Sequence, residues 1–535
     1  MQLSPSSSRR TIFLLTILSG LIILLPSVIF QEMFSQGDHG RDLYAYQMTA
    51  QGAAPYRDYL WVYGPLMPYY YAAFFKFLGF SISNILLAET ILKFLCGVCV
   101  YFIMLEITES FWPYLTAIFF WSYYPHFFYT YNHTGGTLCL LATTWHLIRF
   151  IKTREEKYLN TGLIFIFLLS LIKINFGLCM LGSYVACVFL IDRWAKTPLA
   201  SRRKFFLVSL IGLPLSIILA YGSFFIGLPG LLIKQSFPYT KAGWQHTMPL
   251  MDVVPAIWAL IKFYCQTSWR DLIFFLLMTI TIISCIVNFK KLMKTAPAHF
   301  LITQACLLFL AITHLHEYVL SGVQYRFFWS LPYLILIGFA CLAQVSAQLP
   351  KLLKNSLMMG VLVIVLLQVN SKIDFLESRK DPKYFLGIER GGVLLGNSVQ
   401  WTDTVQKTVL FLEKQLEPDE MFFALPYEPL YYYLLGRPSP TYQYIFFDYM
   451  LIPAQQDAQT VADLKEKNIR WVVLSNRGSS REKGIGNFGV SHSQMLSEYL
   501  SNNFELTQEL GIWGKELKWN DNHGIRILKM KQAHL

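Results

Sequence analysis

Runs of apolar residues recur along most of the chain and then stop. They lie near 11–31, 82–105, 110–130, 134–151, 159–174, 176–192, 205–228, 271–289, 298–314, 327–347 and 356–371. Each is close to the roughly 17–25 residues that cross a bilayer core. Backbone groups in lipid have to be satisfied within the segment, so these runs predict about eleven helices. After Val369 the pattern changes. Apolar positions over 400–415 have helical spacing, "MFFAL" (421–425) and "WVVLS" (471–475) read as buried strands, and a helical pattern fills 457–467. The expected architecture is a polytopic α-helical membrane body over 1–371, followed by a soluble mixed α/β domain over 372–535.

Charge gives the threading. The first apolar run follows Arg9 and Arg10, is longer than a signal-peptide core, and has no small-residue cleavage site after it, which predicts an uncleaved first span. With Arg9 and Arg10 in the cytoplasm, alternate loops carry Arg149, Lys152, Arg154 and Lys157, then Arg193, Lys196, Arg202, Arg203 and Lys204. Lys290, Lys291 and Lys294 follow, then Lys351 and Lys354. Basic residues favour cytoplasmic loops. An odd number of spans then puts the C-terminal domain outside the plasma (inner) membrane, in the periplasm of a Gram-negative host. The net charge of +12 has this topological origin and does not point to nucleic acid.

Composition agrees: 54% of residues are hydrophobic and 15% charged, against roughly 25% charged in soluble chains. The nine cysteines show no metal-ligand spacing. Walker loops, dinucleotide fingerprints, zinc-protease motifs and nucleophile elbows do not occur, which disfavours nucleotide-driven transport and serine hydrolysis.

Polar chemistry gathers on the outer side of this parse, where ionisable residues at a membrane are costly and mark function by default. The first outer loop (32–81) supplies Asp38, His39, Arg41, Asp42, Arg57 and Asp58, and ends in "YGPLMPYYYAAFFKFLGF" (63–80), which suits an interfacial helix. Asn132 and His133 follow the third span, Lys173 ends the fifth, and His314, His316, Glu317 and Arg326 lie between the ninth and tenth. Each has a plainer reading too. Arg57 and Asp58 can pair with each other, Lys173 and Arg326 can snorkel, and the histidines can be hydrogen-bonded structural groups.

The stretch "DHGRDLYAYQMTAQGAAPYRDYLWVYGPL" resembles the first outer loop of the C-type, lipid-dependent (GT-C) glycosyltransferases, such as the protein O-mannosyltransferases and the aminoarabinose transferases of lipid A. These families carry an acid after the first span, then Gly-x-x-Pro-Tyr-x-Asp and a Pro-containing turn. Here these are Asp38, then Gly52, Pro55, Tyr56, Arg57 and Asp58, then Gly64 and Pro65. "KINFGL" from Lys173 is similar to a Lys-Gln-x-x-Gly element, and "YRFFWSLPYLIL" (325–336) to a late Arg-containing span. Two positions depart from the pattern: His39 replaces a common Glu, and Asn132 and His133 stand where several relatives place a second acid.

The resemblance implies transfer of a sugar from a polyprenyl-phosphate donor to an envelope glycan, lipid or protein on the outer face, with inversion. Asp38 is the expected base, with Asp58 as the second catalytic candidate. Burial would raise the pKa of Asp38 and nearby cations would oppose that. Lys173, Arg326 and Arg57 are expected at the donor phosphate, and His133, His316 and Glu317 at the substrate. No nucleotide and no obligatory metal is implied. A transporter or lipid flippase, and a ligase or polymerase of lipid-linked glycans, are the alternatives.

Overall fold

The computed structural model describes residues 5–31, 34, 36–108, 111–123, 131–194, 202–224, 298–321, 324–392, 394–395, 398–447, 454–478, 486–513 and 524–532. The predicted span 271–289 and the segment 229–270 lie outside the described residues.

Among the described residues, five helices are long and apolar enough to cross a bilayer: Arg9–Ile29, Ile82–Ile107, Ile174–Arg193, Arg203–Phe224 and Lys351–Ser378. All five fall on predicted spans, as expected of a multi-pass membrane protein. Helices also occupy the other predicted spans within the described residues. Trp112–Tyr123, Glu156–Ile172, Ala298–Thr313 and Leu331–Ala347 are 12, 17, 16 and 17 residues long, below the roughly 20 that a straight crossing needs. Tyr131–Thr153 has 23 residues but is polar for a span, with Asn132, His133 and several threonines. Its polar side chains are affordable because 18 of its 23 residues are buried. It packs between Ile82–Ile107 and Glu156–Ile172, so these groups face protein. Thr143 and Thr144 return their hydroxyls to the carbonyls of Cys139 and Leu140, both at 2.8 Å.

The start of the first outer loop differs from expectation. Residues Gln36–Ala50 form a helix, and 13 of its 15 residues are buried. No apolar stripe announces it, because its charged side chains are satisfied by one another and by the far end of the chain. Leu66–Leu78 form a helix, buried at Met67, Tyr71 and Phe75 and exposed at Phe77 and Leu78. Gly79 ends it at φ 93°, a conformation that favours glycine.

The C-terminal part holds a four-stranded sheet. β3 (Phe423–Leu425) is parallel to β4 (Trp471–Ser475), which pairs antiparallel with β6 (Ile525–Met530), and β6 pairs antiparallel with β5 (Phe504–Leu510). Strand alternation divides the side chains between two cores. Phe423, Leu425 and Val472 pack with Leu464, Leu496 and Leu500 of the helices Ala454–Glu466 and Gln494–Asn503. Ala424, Val473 and Ile527 face Val405 and Val409 of the helix Val399–Gln415, in a core continuous with the membrane body. The two short strands β1 (Phe30–Gln31) and β2 (Leu394–Leu395) pair in parallel, joining the end of the first span to the C-terminal part.

Two glycines set how closely that part approaches the first-loop helix. A Cβ on Gly37 would lie 2.5 Å from the ring of Tyr427, and one on Gly40 would lie 2.7 Å from the backbone nitrogen of Leu430. Spaced i, i+3 on a helix, they share a face. Onto that face docks the turn 427–428 and the short helix Pro429–Leu435. The tyrosines of that helix, Tyr431, Tyr432 and Tyr433, are all core residues.

Candidate active site

The first-loop helix presents Asp38, Arg41 and Asp42 as one group. Arg41 Nη1 donates to Asp38 Oδ1 at 3.0 Å, while its Nε and Nη2 donate to Asp42 Oδ1 at 3.0 and 2.8 Å. One guanidinium thus lies between two carboxylates. Asn132 Nδ2 donates to Asp42 Oδ2 at 3.1 Å, and the hydroxyl of Tyr427 donates to Asp38 Oδ1 at 2.7 Å.

The two carboxyls are not equivalent. Asp42 is 0% exposed and Asp38 8%. Burial raises the pKa of Asp42 to about 7, and the charge and hydrogen bonds of Arg41 only partly offset it. Arg41 stays firmly cationic, since Asp42, Tyr427 and Asp38 together outweigh its own burial. One cation cannot neutralise two buried anions, and the more deeply buried carboxyl retains a proton nearest neutral pH.

A second group forms around Lys173. The helix Glu156–Ile172 ends there in extended backbone (φ −153°, ψ 102°) before Ile174–Trp194 begins, so Lys173 sits at the apex of a helical hairpin. Its ammonium pairs with Glu317 and lies 4.9, 5.4 and 5.8 Å from the ring centres of Phe176, Trp329 and Tyr63. Asn175 Nδ2 donates to Glu317 Oε1 at 3.1 Å and approaches His316 Nε2 at 3.4 Å. Burial alone would raise the pKa of Glu317, but the charges of Lys173 and Arg326 hold it down to about 2.

Tyr63 joins the two groups. Arg41 Cζ lies 4.9 Å from its ring centre, on the same ring that Lys173 approaches. The loop that carries it is fixed by contacts only a glycine permits: Gly64 N donates to Ile172 O at 2.9 Å, and a Cβ on Gly64 would lie 2.1 Å from Leu171 O. Trp61 Nε1 donates to Gly64 O at 2.9 Å. His133 completes the bridge, with its ring 5.0 Å from Phe328, 5.1 Å from Trp329 and 6.1 Å from Tyr63. Among the described residues neither of its ring nitrogens has a hydrogen-bond partner. An unpaired buried imidazole is costly, so its nitrogens suit a ligand.

Asp38, His133, Lys173, His316, Glu317 and Arg326 are therefore gathered, and Arg57 and Asp58 are placed differently. Those two form a surface pair at 2.7 Å, and Asp58 Oδ2 also accepts from Ala54 N at 2.7 Å. The hydrogen bond from Arg57 lowers the pKa of Asp58, and the pair closes the turn at 54–58. Three contributors were not legible in the sequence: Tyr63, Tyr427 and Arg477, whose guanidinium lies 5.9 Å from the Tyr427 ring centre. The glycine pair of "GDHG" was the available signal for the last two. Among the described residues no group of three or more His, Cys, Asp or Glu is arranged to hold a metal.

No protein-family model matches the chain, and no curated protein matches it. Solved structures do. ArnT from Cupriavidus metallidurans in the apo state superposes with a TM-score of 0.55 at 11% identity, over 97% of this chain and 98% of that one. The same protein bound to undecaprenyl phosphate gives 0.50 at 12% identity over 98% of both chains. The Archaeoglobus fulgidus oligosaccharyltransferase, in complex with zinc and sulfate, gives 0.53 at 14% identity over 88% of this chain and 68% of that one. The chain shares the fold of these two proteins. Within it the Asp38 group lies on the first-loop helix and the Lys173 group at the apex of the Glu156–Ile172 hairpin.

Proposed function

We propose that this protein is an integral-membrane glycosyltransferase that moves a sugar from a polyprenyl-phosphate donor to a hydroxyl of an envelope glycan, lipid or protein on the outer face, with inversion. The observation that carries the reading is the joining of two charge groups over Tyr63, a carboxylate set on one side and a cation set on the other. The bound undecaprenyl phosphate of the ArnT neighbour supports a donor of that class.

In this reading Asp38 is the general base, because it is the carboxylate closer to solvent and Asp42 is the one that tends to hold a proton. The acceptor hydroxyl gives its proton to the Asp38 carboxylate as its oxygen bonds to the anomeric carbon. The bond from that carbon to the phosphate oxygen breaks on the opposite face, and its electron pair leaves with the polyprenyl phosphate. Lys173 and Arg326 neutralise the charge that grows there. Glu317 holds Lys173 in place, and His133 and His316 offer hydrogen bonds to substrate. Arg57 and Asp58 belong to the rim. The N-terminus is cytoplasmic, and the 372–535 domain lies outside and covers the site.

The test uses full-length protein in lipid with a panel of polyprenyl-phosphate sugars and an acceptor extract, following free polyprenyl phosphate by mass spectrometry. Acceptor-dependent release by wild type and none by folded Asp38→Asn supports the reading. Equal release by both removes Asp38 as the base, and no release with any donor moves the weight to transport.

A further inference from the structure

We infer that Tyr427, on the C-terminal part of the chain, is a positioning residue for Asp38 and makes that part an integral component of the site; this rests on the reading of Asp38 as general base. The hydroxyl of Tyr427 donates to Asp38 Oδ1 at 2.7 Å, and Arg41 Nη1 reaches both the same oxygen at 3.0 Å and the Tyr427 hydroxyl at 3.2 Å. The three groups form a closed triangle in which the carboxylate accepts from one neutral and one cationic donor. Such donors hold a carboxylate in a single orientation and favour its charged form over its protonated one.

The phenol is itself held on every side. Its ring is 1% exposed, lies against Gly37, and has Phe447 at 5.2 Å between ring centres. The next residue, Glu428, is anchored by Ser475 Oγ, which donates at 2.7 Å, by Gln36 Nε2 and by Arg477 at 3.7 Å. The peptide that carries Tyr427 is therefore clamped to both the first-loop helix and the end of β4. A side chain needed only to fill space against Gly37 would need no hydroxyl; this one points its hydroxyl at the proposed base.

The charged and titratable groups recorded around Asp38 and its two donors come from three elements: Arg41 and Asp42 from its own helix, Tyr63 of the following loop, whose ring lies against Arg41, and Tyr427 of the C-terminal part, with Arg477 near the Tyr427 ring. Of these, Tyr427 is the one whose proton can be removed from the contact by a change of a single atom. Tyr427→Phe keeps the ring.

The experiment is the pH profile of kcat/KM for sugar transfer by full-length wild type, Tyr427→Phe, Asp38→Asn and the double variant, in lipid with a donor found active for wild type. With the hydroxyl gone, the charged form of Asp38 loses a donor, so the acid limb of the Tyr427→Phe profile moves to higher pH by about one unit. Its kcat falls roughly 10- to 100-fold, the scale of a misplaced catalytic group, with the donor KM little changed. In the Asp38→Asn background, Tyr427→Phe costs nothing further. 3-Fluorotyrosine at position 427, a stronger donor, moves the limb the other way and keeps the inference testable if Tyr427→Phe does not fold. An unmoved acid limb in both, or an undiminished Tyr427→Phe effect without Asp38, overturns the inference. Full activity of Asp38→Asn overturns the base assignment itself, which is a separate outcome.

Discussion

The ammonium of Lys173, at the apex of one helical hairpin, forms an ion pair with the carboxylate of Glu317, which follows a different membrane helix. The two side chains are only 14% and 12% exposed, so neither is well solvated if the other is removed. Glu317→Gln leaves a desolvated ammonium beside Arg326, and breaking such a pair costs about 3–5 kcal/mol. We predict a clear drop in thermal unfolding temperature, with Lys173→Met and Glu317→Gln together less damaging than the sum of the two. The depressed pKa of Glu317 fixes the sign of the pH effect: its contribution is present above the ordinary value of 4.5 and is lost as pH falls toward about 2.

Asp42 behaves in the opposite sense. Its pKa rises from 3.8 to about 7 on folding, so the folded chain binds more protons than the unfolded one in that interval. Stability from this group is fully present below 3.8 and is lost as pH rises through about 7. Unfolding temperature is expected to decline across that window for wild type and to decline less for Asp42→Asn. An identical pH dependence of the two would sink the assignment.

Removing Asp38 as a base costs the acceleration such groups supply, roughly 10²- to 10⁴-fold in kcat. We predict that loss for Asp38→Asn with little change in donor KM, and the reverse pattern for Lys173→Met, in which donor KM rises. Steady-state polyprenyl-phosphate release separates the two.

Arg57→Ala and Asp58→Asn are expected to leave transfer and unfolding temperature close to wild type, because the pair is exposed and its polar contacts are local. A large loss of activity in Asp58→Asn would return that residue to the chemistry.

Gly40→Ala tests the docking of the C-terminal part. The added methyl meets the backbone of Leu430 at 2.7 Å, and backbone cannot turn aside as a side chain can, so a cost of about 1–3 kcal/mol is expected. Gly360→Ala, where nothing lies within 4 Å, serves as a control that stays near neutral. Faster proteolysis after residue 372 in Gly40→Ala alone would identify loosening of this contact.

The membrane helices were legible because lipid imposes length and composition, and Asp38 and Lys173 because a charge beside an apolar run stands out. The first-loop helix was not, since a helix buried by polar partners leaves no apolar stripe to read. Tyr131–Thr153 is readable as a span yet departs from the hydropathy of one, because its neighbours are other helices. Tyr427 was hidden for another reason: in "PYEPLYYYLL" a phenol that orients a carboxylate and a phenol that fills a core are the same letter. Only the glycines at 37 and 40 hinted that something would come close.

The contact of Tyr427 with Asp38 spans 389 residues of chain. A ribosome adding about 5–20 residues per second needs roughly 20–80 s to cover that distance. During that interval Asp38 and Arg41 have been made and the phenol that donates to Asp38 has not. The cluster around Asp38 is therefore completed by one of the later parts of the chain to be synthesised, and a chain halted before residue 427 lacks that hydrogen bond.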